Sequence, residues 1–308
     1  MIRNVVEVSL PVDERLYIRK NVISHGRSSR RVCIVTGTHG DELEGQYVCF
    51  RVARELQRNI HKLNGTVEIY PALNPLGVDS IMRGIPGFDL DMNRIFPGSP
   101  DGSMAETVAA TIVDDLAGAD MVIDIHSSNI FLREVPQARI NVLCEHELLP
   151  WALMLNLDFI WVHDASTVLE ATLAHSLNST GTPTIVVEMG VGMRVNHTCC
   201  NRLVSGIFNM LHNMGMWREA TSGDDISTPI VSRGDNVEFV NAHASGVFIP
   251  GIKADTIVER GEHIGDVVCP LTGEILDRVL APSRGYLFTI RAYPVVYEGS
   301  LIARIDRL

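Results

Sequence analysis

From residue 31 onward, the chain alternates short apolar runs with amphipathic stretches. Arg31 to Thr36 (RVCIVT) is apolar and rich in β-branched residues, which predicts a buried strand. It leads into the glycine-flanked segment GTHGDELEG and then a helical pattern over Gln46 to Gln57. The alternation returns with strands at Gly65 to Tyr70 (GTVEIY), Met121 to Ile125 (MVIDI) and Thr184 to Val187 (TIVV), and helices at Met104 to Leu116 and Asn201 to Met214. Runs this uniformly apolar suit central strands covered on both faces, since a strand with one wet face would alternate. The small polar segment Thr221 to Asp225 (TSGDD) predicts a linker.

After residue 226 the texture changes to short alternating strands punctuated by glycine. SGVFIP…VERGEHIGDVV aligns with RGYLFTI…VYEGSLIARI, so that Gly246 matches Gly285 and Gly261 matches Gly299. Two such hairpin units predict a small barrel or sandwich with pseudo-twofold symmetry, similar to the biotinyl/lipoyl carrier fold. The turn between them, Leu271 to Glu274, lacks the lysine that a swinging-arm carrier would modify. The expected organisation is an α/β domain over residues 1–220 and a smaller, all-β, barrel-sandwich-like domain over residues 226–308.

Composition narrows the function. With 308 residues, 46% hydrophobic and 20% charged, the chain can bury a large core and is not expected to be disordered. A net charge of -11 argues against nucleic acid as a partner, because polyanions are held chiefly by basic side chains. Asp13, Glu14 and Arg15 interrupt any apolar leader, and no later run reaches membrane-spanning length, so the sequence reads as cytoplasmic, with no membrane partner. The six cysteines contain no C-x-x-C pair, which points to small buried residues rather than a thiolate metal site or a disulfide framework.

The chemistry concentrates at strand ends. In Gly37-Thr38-His39-Gly40-Asp41-Glu42, a strand enters a glycine-flanked loop that can turn His39 and Glu42 toward a single ion. Imidazole nitrogen and carboxylate oxygen are ordinary zinc donors, and an open catalytic site needs three protein ligands. His126 supplies the third, following MVIDI at a strand's carboxyl end, where open α/β sheets place their crevices. Asp124 shares that strand face and either orients the imidazole or caps a neighbouring loop. Taken singly, either histidine suits a hydrogen-bonded loop, and Glu42, with Asp41 and Glu44, suits the first turn of a helix. Their joint arrangement favours a metal.

Between the ligand segments lie Asn74-Pro75-Leu76-Gly77, Arg83, and the polar loop Asp91 to Gly98. Asn93 and Arg94 together offer a planar fork and a neutral donor for an α-carboxylate, the alternative being a surface salt bridge and a turn. Glu188 ends the apolar run TIVVE just before Met189-Gly190. There a carboxylate gains a raised pKa suited to a general base, the alternative being a buried ion pair with an arginine. Arg83 or Arg94 is placed to stabilise an oxyanion.

In this order, GTHGDELEG, NPLG, DMNRIFPG, DIHSS and VVEMG resemble the succinylglutamate desuccinylase/aspartoacylase family, a branch of the zinc carboxypeptidase superfamily, over most of the chain. The resemblance implies a zinc-carboxypeptidase-like mixed sheet flanked by helices. It makes His39, Glu42 and His126 the ligands of one Zn2+ ion, Arg83, Asn93 and Arg94 the substrate binders, and Glu188 the base. The β-rich C-terminal domain would shape a pocket for a small N-acylated amino acid. The implied activity is zinc-dependent deacylation, more similar to that of the broad bacterial members, N-acetyl-diaminobutyrate deacetylases among them, than to that of dedicated aspartoacylases. A metallocarboxypeptidase and a non-catalytic metal-binding sensor are the competing readings, and homo-oligomerisation stays open. Two departures stand out: GIPGF lengthens the segment between Arg83 and Asn93, and the family's C-terminal substrate tyrosine has three candidates, Tyr286, Tyr293 and Tyr297. A His2Glu set also accepts iron, manganese or cobalt.

Overall fold

The computed structural model describes residues 1–88, 90–164, 170–220, 226–234 and 236–308, so the linker expected at 221–225 lies outside the described residues. An antiparallel hairpin, β1 (Ile2–Ser9) and β2 (Arg15–His25), precedes the α/β pattern. Then follow β3 (Arg31–Thr36), α1 (Glu44–Arg58), β4 (Gly65–Tyr70), α2 (Pro75–Ser80), α3 (Met104–Leu116), β5 (Met121–Ser127) and β6 (Leu132–Asn141). Next come α4 (Glu145–Ala152), β7 (Phe159–His163), α5 (Leu173–Ser179), β8 (Thr184–Gly190) and α6 (His197–Asn213). The remainder is β9 (Ile230–Ser232), β10 (Val237–Asn241), β11 (Gly246–Pro250), β12 (Thr256–Val258), β13 (His263–Val268), β14 (Ile275–Leu280), β15 (Gly285–Arg291), β16 (Val295–Val296) and β17 (Leu301–Arg307).

The expected strands at 31–36, 65–70, 121–125 and 184–187 become neighbours in the order β4-β3-β5-β8, paired in parallel. Their uniform apolarity has the expected cause. Ile34 and Ile123 face a core built with Val52 of α1 and Ile207 of α6, whereas Val35 and Val122 face a second core built with Ile112 of α3 and Leu177 of α5. Successive side chains of one strand therefore point into different cores. The start of α3 is set by a capping box, in which Ser103 and Glu106 each satisfy the other's backbone N–H. β5 runs two residues beyond the apolar run MVIDI, so His126 sits inside the strand's last turn of pleat.

The sheet does not stop at residue 226. β6 pairs antiparallel with β15, and the order continues β6-β15-β17-β10, giving a sheet of 13 strands among the described residues. A separate four-stranded antiparallel sheet, β14-β13-β11-β16, completes the C-terminal part. The internal repeat is visible in both sheets, where β11 pairs with β13 as β15 pairs with β17. Gly246 and Gly285 occupy equivalent crowded positions: a Cβ would stand 2.6 Å from the Val268 carbonyl oxygen in one and 2.4 Å from that of Asp306 in the other. Among the described residues, no helix is long and apolar enough to cross a membrane.

Candidate metal centre and active site

β3 delivers the chain into the His39 loop, which is seated by a close backbone approach. A Cβ on Gly40 would lie 1.9 Å from the carbonyl carbon of Gly77, in the helix capped by Asn74. Glycine is therefore needed for His39 and Glu42 to reach β5. His39 Nδ1 lies 2.8 Å from Glu42 Oε1, His126 Nδ1 lies 3.0 Å from Glu42 Oε2, and the two Nδ1 atoms are 3.3 Å apart. All three side chains are buried.

The far nitrogen of each imidazole faces a carboxylate. His39 Nε2 is 3.0 Å from Asp91 Oδ1, and His126 Nε2 is 3.1 Å from Asp124 Oδ2. A carboxylate on Nε2 favours the proton there and leaves the Nδ1 lone pair for coordination. Asp124 stands at ion-pair distance behind His126, where a carboxylate can orient the imidazole. These donors fit a small cation. Ligands at roughly 2.0–2.1 Å on a tetrahedron stand roughly 3.3–3.4 Å from one another, close to the separations seen between the three donor atoms. Burial would raise the Glu42 carboxyl, but the adjacent imidazoles outweigh it and hold it well below the usual range. Burial would likewise lower His126, and Asp124 with Glu42 outweighs it in the opposite direction. The Ser127 N–H also donates to Glu42 Oε2, at 3.1 Å.

Arg83 is brought onto this cluster. Its Nη1 lies 3.0 Å from Glu42 Oε1, while Nε and Nη2 donate to Asp91 Oδ2 at 3.3 and 3.2 Å. Asn93 lies in the turn capped by Asp91, and its Oδ1 accepts from the Leu173 N–H at 2.9 Å, tying the loop to α5. The exposed Arg94 guanidinium lines the cavity and makes no ion pair among the described residues.

Glu188 is the direct neighbour of His126 in the register of β5 and β8, so both point to the same face. Its Oε1 accepts from Arg139 Nη1 at 3.2 Å. The ion pair weighed against a catalytic role is therefore present. Even so, burial pushes the Glu188 carboxyl up to about 7, against the opposing charge of Arg139. Arg139, Glu134 and Arg304, which line the same cavity, escaped sequence reasoning. Glu134 and Arg139 are five apart on β6, which in a regular strand would put them on opposite faces. A bulge between Glu134 and Gln137 resets the parity and turns both toward the cavity.

The cavity measures about 760 Å³, and the C-terminal strands contribute Phe239 and Arg304 to its wall. None of the three candidate tyrosines lines it. The Tyr286 hydroxyl donates to Asp255 Oδ1 at 2.8 Å, Tyr293 packs edge-on against Phe131, and Tyr297 is 72% exposed.

Residues 28–214 match the model of the succinylglutamate desuccinylase/aspartoacylase catalytic domain. The chain belongs to this family. A curated relative, the N-alpha-acetyl-L-2,4-diaminobutyric acid deacetylase of Halomonas elongata, is 34% identical over 112 residues, which is 36% of this chain and 32% of the relative. The match thus spans about a third of that relative's length. Among solved structures, a succinylglutamate desuccinylase/aspartoacylase from Rhodobacter sphaeroides superposes with a TM-score of 0.82 at 24% identity, covering 96% of this chain and 89% of that one. The product-bound ectoine utilization protein EutE (DoeB) from Ruegeria pomeroyi gives 0.84 at 21% identity, covering 98% and 93%. A succinylglutamate desuccinylase from Silicibacter sp. TM1040 gives 0.85 at 21%, covering 99% and 94%. At these identities the superpositions establish the family fold, with its mixed sheet and C-terminal antiparallel sheet.

Proposed function

We propose that the protein hydrolyses the amide bond of a small N-acyl amino acid, with one zinc ion held by His39, Glu42 and His126 and with Glu188 as general base. The observation that carries this reading is the convergence of three buried donor atoms beside a carboxylate poised near neutrality. The Halomonas relative, named as a deacetylase of an N-acetylated amino acid, supports the substrate class.

Held by His39, Glu42 and His126, a zinc ion would supply Lewis acidity, which would polarise an acyl carbonyl and make water a better nucleophile near neutral pH. The protein's own groups do the rest. Glu188 takes the proton of the attacking water and returns it to the leaving amine, for which a pKa of about 7 serves both directions. Arg83, beside the ligands, is the guanidinium placed to stabilise oxyanion charge. Arg94, free of an ion pair among the described residues, offers its fork to the amino-acid carboxylate. Asn93 keeps its amide NH2 for the same group, while its oxygen holds α5.

The test is metal analysis of the purified protein together with amine release from N-acetyl, N-succinyl and N-formyl amino acids, with and without chelator. Chelator-sensitive cleavage is the expected result. Cleavage of dipeptides in place of N-acyl amino acids would turn the reading into a carboxypeptidase, and a metal-free, inactive protein would remove it.

A further inference from the structure

Four charged side chains form a continuous chain from the last strand to the general base. Arg304 Nη1 on β17 donates to Glu134 Oε1 at 2.6 Å. Arg139 Nη2 donates to both oxygens of Glu134, at 2.8 and 2.9 Å, and Arg139 Nη1 reaches Glu188 at 3.2 Å. The sheet register builds this row. Thr289 of β15 is the partner of Glu134 on one side and of Arg304 on the other, so Arg304 reaches across β15 to β6. Trp161 lies beneath both guanidiniums, 5.8 Å from that of Arg139 and 5.7 Å from that of Arg304, and Phe239 flanks Arg304 at 5.7 Å.

We infer that Arg304 and Glu134 are positioning residues for Glu188, acting through Arg139, so that the C-terminal strands hold the catalytic carboxylate in place. This rests on the reading of Glu188 as the base. The physical reason is competition for Arg139. The Glu134 side chain is only 1% exposed, so water cannot neutralise it and arginines must. Arg139 already engages Glu134 with two short contacts and Glu188 with one longer contact. Arg304 carries part of the demand of Glu134. Without Arg304, Glu134 draws on Arg139 alone, and Glu188 loses the contact that fixes its carboxylate opposite His126.

The experiment compares wild type, R304M, R304K, E188Q and the R304M/E188Q double variant, loaded with zinc, on one N-acetyl amino acid. Zinc content and the thermal transition are measured alongside kcat and KM. R304M is expected to keep its zinc and a cooperative transition but to lose roughly 3- to 30-fold in kcat, the scale of coupling through a linked network, with KM moving less than about twofold. R304K should recover most of the loss, and in the E188Q background R304M should cost nothing further. A loss confined to KM would make Arg304 a substrate contact and overturn the inference, as would R304M and E188Q losses that multiply. If R304M does not fold, E134Q replaces it: its kcat change must vanish in the E188Q background, and losses that multiply overturn the inference equally. Full turnover in E188Q, or no chelator-sensitive cleavage by wild type, would bring down the base assignment itself and this inference with it.

Discussion

Replacing the aspartates behind the two histidines tests the metal centre without touching a proposed ligand. Asp124 stands behind His126 and Asp91 behind His39, at 3.1 and 3.0 Å. Removing such a carboxylate typically weakens metal binding about 10- to 100-fold, or about 1.4 to 2.7 kcal/mol. Burial ranks the two sites. The Asp124 side chain is 1% exposed and that of Asp91 is 24% exposed, so water screens Asp91 and not Asp124. Asp124→Asn is therefore expected near the upper end of the range and Asp91→Asn near the lower. The two aspartates act on different imidazoles, so their losses should multiply in the double variant, to about 10³-fold between the extremes. Titration of each zinc-loaded variant against chelators of graded affinity measures this directly. Wild-type zinc affinity in Asp124→Asn would show that His126 does not bind through Nδ1 with Asp124 behind it, and the ligand set would have to be redrawn.

Glu188→Gln should retain stoichiometric zinc and lose about 10²- to 10⁴-fold in turnover, the usual scale for removing a general base; unchanged activity would exclude Glu188 from the mechanism. Because burial holds Glu188 at about 7 and only its ionised form accepts a proton, kcat/KM should fall as pH drops through that value, and a flat profile from pH 5 to 8 would contradict the assignment. Glu44 is fully buried against Ser127, and burial lifts its carboxyl from 4.5 to about 7. Its folded-state proton therefore contributes stability below pH 4.5 that is lost as pH rises through 7, so the melting temperature of Glu44→Gln relative to wild type should improve between pH 5 and pH 8; a constant difference would refute this. Gly285→Ala would put a Cβ 2.4 Å from the Asp306 carbonyl oxygen and should cost about 1–3 kcal/mol in chemical denaturation, which a wild-type midpoint would disprove.

Much of this protein is decided locally. β3, β4 and α3 occupy the residue ranges that their apolar patterns predict, because a strand buried on both faces must be apolar throughout and a capping box marks a helix start. His39, Glu42, His126 and Glu188, the residues proposed to bind metal and move the proton, stand out in the sequence for a related reason: polar groups at the ends of buried strands are costly unless they have a purpose. The N-terminal hairpin was not legible, since β1, an edge strand, and β2 beside it carry many exposed polar residues and resemble loop as much as strand. Nor was β6, where charges and Pro136 interrupt the apolar run that becomes an interior strand. The support of the active site required tertiary structure altogether. A single bulge decides that Glu134 and Arg139 share a face, and a register across three strands brings Arg304 to Glu134 from 170 residues away. Local sequence marks the residues proposed to bind metal or move a proton. Strand register and sheet order, set by the sum of long-range packing, decide which charges stand behind them.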